Sequence, residues 1–150
     1  MIEKASKLSE DEKYMEAVKQ YDKILQIEFD NIVAIIDYGV TLQNLGQYNE
    51  ALAMYEMVLN IQPKNVTAII NMGSTLHTLE RYSEAISCYD VVLNIEKNNP
   101  IALAYKGLCI GEIGDVKLAA KYFKKALSID NEYELAEISL HTANDIIKSR

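Results

Sequence analysis

The stretch of residues 35–63, IIDYGVTLQNLGQYNEALAMYEMVLNIQP, decides the fold of this chain. Its first half repeats apolar and small residues at helical spacing, namely Ile35, Tyr38, Gly39 and Leu42. Its second half carries another such set, namely Ala51, Tyr55, Val58 and Leu59. Gly46 lies between the two sets, where the chain has to turn. The stretch therefore predicts two short helices joined by a tight turn.

The same pattern recurs through the chain with a period of 34 residues. The glycine track is Gly39, Gly73 and Gly107. Four further tracks keep the same register, namely Ala17, Ala51, Ala85 and Ala119; Tyr21, Tyr55, Tyr89 and Phe123; Leu25, Leu59, Leu93 and Leu127; and Ile27, Ile61, Ile95 and Ile129. A fixed period of this length indicates tandem structural units, each of which buries its apolar face against the next.

Residues that are typical of helix ends mark the helix boundaries within each period. Asn31, Asn65 and Asn99 precede the first helices, where their side chains can cap free backbone N–H groups. The second helices are expected to open at Tyr14, Tyr48, Tyr82 and Val116. Glu132 to Lys148 predicts one further helix, with Ala136, Leu140, Ala143 and Ile147 on one face. We expect nine helices in all, and no strand pattern is present.

The small residues are expected to bring the two helices of a pair together. We expect Gly39 to meet Ala51, and Gly107 to meet Ala119, because small side chains allow backbones to approach closely. The aromatic residue of each period, Tyr55 for example, would then fill the space between one pair and the next.

The motif formed by Ile35, Tyr38, Gly39, Leu42, Ala51, Tyr55 and Pro63 resembles the tetratricopeptide repeat. This resemblance implies an all-α, right-handed superhelical solenoid of antiparallel helix pairs, forming a single domain over residues 1–150. The repeats would span about 1–31, 32–65, 66–99 and 100–131, followed by a capping helix over about 132–148. Pro63 has no counterpart in the other periods, which hold Phe29, Lys97 and Asn131 there.

In this family the first helices line the concave face, and partner peptides bind there. The resemblance therefore implies a partner-binding groove on the exposed stripe of these helices. Its predicted residues are Val33, Ile36, Asp37, Val40, Gln43 and Asn44; Thr67, Ile70, Asn71, Ser74, His77 and Thr78; and Ile101, Tyr105, Leu108 and Glu112. The capping helix would add Leu135, Ile138, Ser139 and Thr142.

The apolar members of this stripe have two explanations. Neighbouring first helices can pack side by side and bury them, above all Ile36 and Ile70. Alternatively, they form the floor of a groove whose polar side chains bond the backbone of a bound peptide. A clamp for a terminal carboxylate, which some relatives use, is not expected. The matching positions hold Ile2, Ser6, Asp37, Thr67 and Asn71 rather than a set of Lys, Arg and Asn.

Composition limits the classes of partner. The net charge is −7 and the calculated pI is about 4.8, which disfavours nucleic acid. No long apolar run predicts a membrane span, and the charged N-terminal residues do not resemble a signal peptide. A cytoplasmic location is therefore expected, and the alternative is a fragment whose targeting signal was removed. Lys117, Lys121, Lys124 and Lys125 share one helix face, either as a solvated surface or as a docking patch for an acidic partner.

Catalytic, metal and cofactor sites are not expected. Cys88 and Cys109 are interpreted as buried, inert thiols, although a disulfide between them is an alternative. His77 and His141 are interpreted as lacking a cysteine or carboxylate at metal-ligand spacing on their own helices. No phosphate-binding loop or nucleophile motif is present.

The function predicted from these observations is a non-enzymatic adaptor or scaffold that binds a peptide or partner segment. The alternative is a structural protein that self-assembles through its groove or its ends into a homo-oligomer. Light scattering coupled to size exclusion would separate the two hypotheses.

Overall fold

A computed structural model describes residues 1–150 and consists of nine α-helices without a strand. The helices are α1 (Ile2–Glu10), α2 (Tyr14–Ile27), α3 (Ile32–Asn44), α4 (Tyr48–Ile61), α5 (Val66–Thr78), α6 (Tyr82–Ile95), α7 (Pro100–Ile113), α8 (Val116–Ile129) and α9 (Glu134–Lys148). The predicted first residues of all four second helices are confirmed. Helix α9 begins two residues later than predicted, because residues 130–133 form a turn in which the Tyr133 N–H donates to the Asp130 carbonyl at 3.2 Å.

The chain forms two compact units. The N-terminal unit comprises Met1–Thr75, and the C-terminal unit comprises Leu76–Arg150. Within the units, pairs such as α3 and α4 or α7 and α8 pack directly on each other. The prediction of an all-α helical repeat solenoid is confirmed. The assignment of residues 1–150 to a single domain stays a prediction.

Three first helices begin with the same local hydrogen-bond arrangement. Each asparagine accepts from the backbone N–H three residues later, at 3.1 Å for Asn31, 2.9 Å for Asn65 and 2.9 Å for Asn99. Each asparagine amide also donates backward to a side chain three residues earlier, on Glu28, Gln62 and Glu96. The predicted caps are confirmed. Their side-chain oxygens satisfy backbone donors that the helix itself leaves free.

The turn inside each pair uses a left-handed residue at one repeat position. Gly46 has φ +78° and Gly114 has φ +112°, whereas Glu12 and Glu80 each have φ +58°. Glycine adopts this conformation without steric cost, but a residue with a Cβ does not. Two of the four turns therefore carry backbone strain at a glutamate.

The contact made by the repeated glycine differs from the sequence prediction. A Cβ built on Gly39 would lie 2.6 Å from the Tyr55 ring, and one on Gly107 would lie 2.7 Å from the Phe123 ring. The predicted partners, Ala51 and Ala119, are not the nearest atoms. The glycine makes room for the large aromatic ring of its own pair, so the aromatic fills space within the pair as well.

The core of each unit combines these rings with small side chains. In the N-terminal unit, Tyr21 and Tyr55 are fully buried among alanines and aliphatic side chains. In the C-terminal unit, the predicted face of α9 packs inward, since Ala136 and Ala143 are buried and Leu140 and Ile147 pack beside them. Ile138, on another face of α9, is 57% exposed.

Candidate functional site

The predicted stripe of the N-terminal unit lies on α3 and α5, and its members differ in exposure. Val33 is 58% exposed and Val40 is 36% exposed, whereas Ile36 packs on the buried cluster of Ile35, Val58 and Ala68. Ile70 is half-buried. Packing therefore accounts for Ile36, as the first explanation expected, while the two valines remain available as apolar surface.

Polar members of the stripe hold α3, α4 and α5 together. The Tyr55 hydroxyl donates to Gln43 Oε1 at 3.0 Å, and Gln43 Nε2 donates to Ser74 Oγ at 3.3 Å. The Ser74 and Thr75 hydroxyls both donate to the backbone carbonyl of Asn71, at 3.0 and 2.8 Å. Gln43 and Ser74 are thus tied into the structure, so they shape the surface more than they offer free bonding groups.

Asp37 lies in a polar pocket of about 440 Å³ that also contains Val40 and Asn44. Ser6 Oγ donates to Asp37 Oδ2 at 3.4 Å. Burial raises the pKa of Asp37, and the hydrogen bond with Ser6 opposes that rise. Glu10 is the other carboxylate of the pocket, and no lysine or arginine lines it. The pocket is therefore suited to a cationic group.

Sequence reasoning missed part of this pocket. Its remaining lining residues come from α1 and α2, namely Ser6, Ser9, Glu10 and Tyr21. Ser6, Ser9 and Glu10 lie one period before Val40, Gln43 and Asn44, so the repeat register was the signal that could have found them. Ser9 Oγ and Thr41 Oγ1 share a hydrogen bond of 3.1 Å, which connects α1 to α3.

The stripe of the C-terminal unit is more aromatic. The His77 ring packs edge-on against Tyr82, with centroids 5.4 Å apart, and Tyr105 packs edge-on against Tyr89 at 5.8 Å. Leu108 and Glu112 line a cleft of about 370 Å³ between α7, α8 and α9. Three of the four stripe residues predicted on α9 line the same cleft, namely Ile138, Ser139 and Thr142.

The remaining stripe residues lie at the helix starts or on exposed turns of the helices. Val33, Thr67 and Ile101 are each the second residue of a first helix, and all three are exposed. Asn71 is half-buried, and Thr78 is exposed at the end of α5. The structure thus gathers Asp37, Val40 and Asn44 in one pocket of the N-terminal unit. It gathers Leu108 and Glu112 in a cleft of the C-terminal unit.

The thiols and imidazoles do not form a reactive centre with one another. Cys88 and Cys109 are free, and Cys109 is buried as predicted, whereas Cys88 is only half-buried. Burial raises the pKa of each thiol to about 11. The interpretation of His141 was wrong, since Asp145 lies four residues later and its carboxylate is 3.1 Å from the imidazole. That exposed pair is a surface contact. No group of three or more His, Cys, Asp or Glu side chains is placed to hold a metal ion.

The length and composition of the helices decide whether any of them can cross a membrane. None of the nine helices combines the length and apolar character needed to cross a bilayer. The four lysines of α8 are all exposed, namely Lys117, Lys121, Lys124 and Lys125. Whether they serve as a docking patch stays a prediction.

Helix pairs of fixed period, capped alike and joined by short turns, define a helical repeat protein. Sequence profiles described as tetratricopeptide repeat match residues 42–107 and 102–133. The chain belongs to the tetratricopeptide repeat family, as the repeat motif suggested. A comparison with curated protein sequences finds no significant match.

Solved structures with the same fold are distant in sequence. A tetratricopeptide repeat protein from Parabacteroides merdae ATCC 43184 is 22% identical, with a TM-score of 0.81 over 95% of this chain and 56% of that one. MamA 41-end from Desulfovibrio magneticus RS-1 is 18% identical, with a TM-score of 0.77 over 97% of this chain and 88% of that one. The first such domain of Spaghetti (RPAP3), bound to the HSP90 peptide SRMEEVD, is 17% identical, with a TM-score of 0.72 over 78% and 93%. These likenesses concern the fold.

Proposed function

We propose that this chain is a non-enzymatic interaction module that binds a partner peptide on the inner stripe of its first helices. The observation that carries the proposal is the pocket around Asp37. A half-buried carboxylate whose ionisation is disfavoured by burial lies there beside the exposed Val40 side chain, and no lysine or arginine lines the pocket to balance it. Such a group costs folding free energy and is useful when a ligand supplies the opposite charge.

The charge of the stripe suggests the chemistry of the partner. Its sixteen predicted residues include two carboxylates, Asp37 and Glu112, and neither lysine nor arginine. A neutral or basic peptide with apolar side chains fits this surface. An acidic peptide such as SRMEEVD, which the RPAP3 domain binds, would meet Asp37 and be repelled.

The proposal extends to the other predicted properties of the protein. It includes the absence of catalysis, of a bound cofactor and of nucleic-acid binding, and it includes a cytoplasmic location. Homo-oligomerisation through the groove or the ends is the alternative function, and light scattering at increasing protein concentration tests it directly. A concentration-independent monomer would remove that alternative.

A peptide-display selection on the full chain tests the proposal. We expect enrichment of peptides that combine a lysine or arginine with a large apolar residue. Asp37→Asn should weaken the selected peptides by about tenfold, because it removes a partly desolvated charge partner. Glu56→Gln is the matched control, since Glu56 is an exposed carboxylate of α4 and its loss changes the net charge equally.

Two results would count against the proposal. If the selection enriches no peptide above an unrelated helical protein, the chain is not a peptide-binding module. If peptides are enriched but Asp37→Asn and Glu56→Gln behave alike, the inner stripe of the N-terminal unit is not the site.

A further inference from the structure

The cleft between α7, α8 and α9 has apolar walls and a single charged residue. Its walls are formed mainly by Leu108, Val116, Phe123, Ile138 and Ile146. Ser139 and Thr142 add hydroxyl groups, and Glu112 is the one charged residue that lines it. The cleft lies wholly within the C-terminal unit.

The repeat register explains why this cleft is open. Phe123 stands in the tyrosine track, Gly111 stands two periods after Gln43, and Ala143 stands two periods after Thr75. In the N-terminal unit, the corresponding space holds the Tyr55 hydroxyl, which donates to Gln43 at 3.0 Å, and the buried Thr75 side chain. In the C-terminal unit, all three side chains are replaced by smaller ones, and no equivalent of the bond between Tyr55 and Gln43 can form. Their combined loss removes the atoms that fill the equivalent junction.

We propose that this cleft is a specificity subsite for one large apolar side chain of a bound peptide, aromatic or leucine-sized, next to a lysine or arginine. The inference rests on the proposed function, because it assigns a subsite within that peptide-binding surface. It also identifies Gly111 and Phe123 as the residues that create the subsite.

The size and chemistry of the cleft support an apolar side chain. A dry protein cavity of about 150 Å³ already accepts benzene, so an opening of about 370 Å³ can admit a phenyl or isobutyl group. Phe123 is only 4% exposed, so the accessible apolar surface comes chiefly from Ile138 and Ile146, which are 57% and 37% exposed. Leu108 adds a further aliphatic side chain to the lining.

Charge complementarity selects the neighbouring residue and the kind of occupant. Glu112 is exposed at the cleft, so it favours a lysine or arginine next to the apolar peptide side chain that enters the cleft. A second copy of this chain carries a net charge of −7, so its approach adds like charge. A short basic and apolar peptide reduces that charge instead, and it is the occupant to which the proposal commits.

Methyl NMR on the full chain tests the subsite with defined probes. Acetyl-Phe-Lys-amide is titrated against the methyl groups of Leu108, Val116, Ile138 and Ile146. We expect saturable shifts at these methyls and none at Val33 or Val40, which serve as internal references. Acetyl-Ala-Lys-amide should leave the methyls unshifted, and acetyl-Phe-Glu-amide should bind more weakly than the lysine probe.

A matched pair of variants separates filling of the cleft from effects on the helix. Gly111→Gln restores the side chain found at Gln43 and should weaken the phenylalanine probe by at least about tenfold. Ile113→Gln is the control, because it introduces the same side chain on α7 at a residue that is 57% exposed and does not line the cleft. Glutamine is a good helix former, so both variants should remain folded.

Each outcome decides the inference. It is overturned if the phenylalanine probe gives no saturable shift, if the alanine probe gives the same shift, or if Gly111→Gln binds as wild type does. It is also overturned if concentrating the protein alone shifts these methyls, because the occupant is then a second copy. A failed titration alongside successful peptide selection refutes only the subsite. Binding of the probe without any selected peptide refutes only the proposed function.

Discussion

The junction around Tyr55 and the junction around Phe123 share one backbone arrangement but differ in their contents. At Tyr55, a hydroxyl, an amide and a serine form a chain of hydrogen bonds across three helices. At Phe123, the hydroxyl is missing and Gly111 leaves the space beside the ring open. The side chains at the repeat positions of Tyr55 and Gln43 therefore distinguish the packed junction from the cleft.

The largest difference between the two junctions is expected when alanine replaces Gly39 beside Tyr55 and Gly107 beside Phe123. Gly39→Ala places a Cβ 2.6 Å from the Tyr55 ring, which is held by its hydroxyl. Gly107→Ala makes a similar contact with Phe123, whose ring lines the cleft and has no hydroxyl group to hold it in place. We expect Gly39→Ala to lower the free energy of unfolding by about 1–3 kcal/mol and Gly107→Ala to lower it less. Chemical denaturation measures both.

Gly111→Ala completes that series as its control. Its Cβ meets no close contact, so the better helix propensity of alanine should raise stability by up to about 1 kcal/mol. Equal losses for Gly39→Ala and Gly107→Ala would show that the two junctions are equally rigid, contrary to the comparison.

The next largest change in stability is expected from substituting the left-handed residue in the turn within a helix pair. Gly46→Ala puts a Cβ on a left-handed residue and should cost about 1–2 kcal/mol. Glu80→Gly relieves the same strain in the C-terminal unit and should raise the free energy of unfolding by roughly 1 kcal/mol. Thermal and urea unfolding report both changes. A loss of stability in Glu80→Gly would show that the glutamate side chain makes a contact worth more than the strain.

Removing hydroxyl groups compares tyrosines that hold the same repeat position. The Tyr55 hydroxyl is bonded to Gln43, whereas the Tyr89 hydroxyl is buried without a hydrogen-bond partner. Tyr55→Phe should therefore cost about 0.5–1.5 kcal/mol, and Tyr89→Phe should be neutral or stabilising by a similar amount. Urea unfolding midpoints of the two variants provide the measurement. The reverse order would contradict the hydrogen-bond assignment.

A loss of stability in alkaline solution is also expected, and it originates in the C-terminal unit. Burial raises the pKa of Cys88 and Cys109 from 9.0 to about 11. The folded state thus holds these protons more tightly than the unfolded state does. Their contribution is complete below about pH 9 and is lost as pH rises through about 11.

A cysteine-free variant checks this alkaline effect. Cys88→Ala with Cys109→Ala should flatten the decline in unfolding free energy between those two pH values, relative to wild type. The tyrosines, whose pKa values are also raised by burial, remain in both proteins and serve as the background. Identical pH profiles would show that the thiols do not contribute.

Most of the fold could be predicted because it depends on local periodicity. The 34-residue register predicted the first residues of the second helices, and the asparagines marked the starts of three first helices. The partner of Gly39 could not be predicted in the same way. Its contact depends on where a ring four residues beyond Ala51 reaches in three dimensions, and the one-dimensional pattern does not contain that direction.

The candidate site was predictable in its location but not in its shape. The stripe residues follow from helical spacing, and Asp37 was recognised as a polar position. The pocket around Asp37 needed α1 and α2, and the cleft at Leu108 arises from what Gly111 and Ala143 lack. An absent side chain gives no sequence signal until it is compared with its repeat equivalents in a structure.

The asparagine caps have a consequence for how the chain reaches its native state. Every donor and acceptor of the caps at Asn31, Asn65 and Asn99 lies within residues 28–34, 62–68 or 96–102. Such a cap can close before any distant part of the chain arrives, which lowers the cost of the first helical turn. The protein thus carries three evenly spaced starting points for helix growth, so structure can spread outward from any of them during folding.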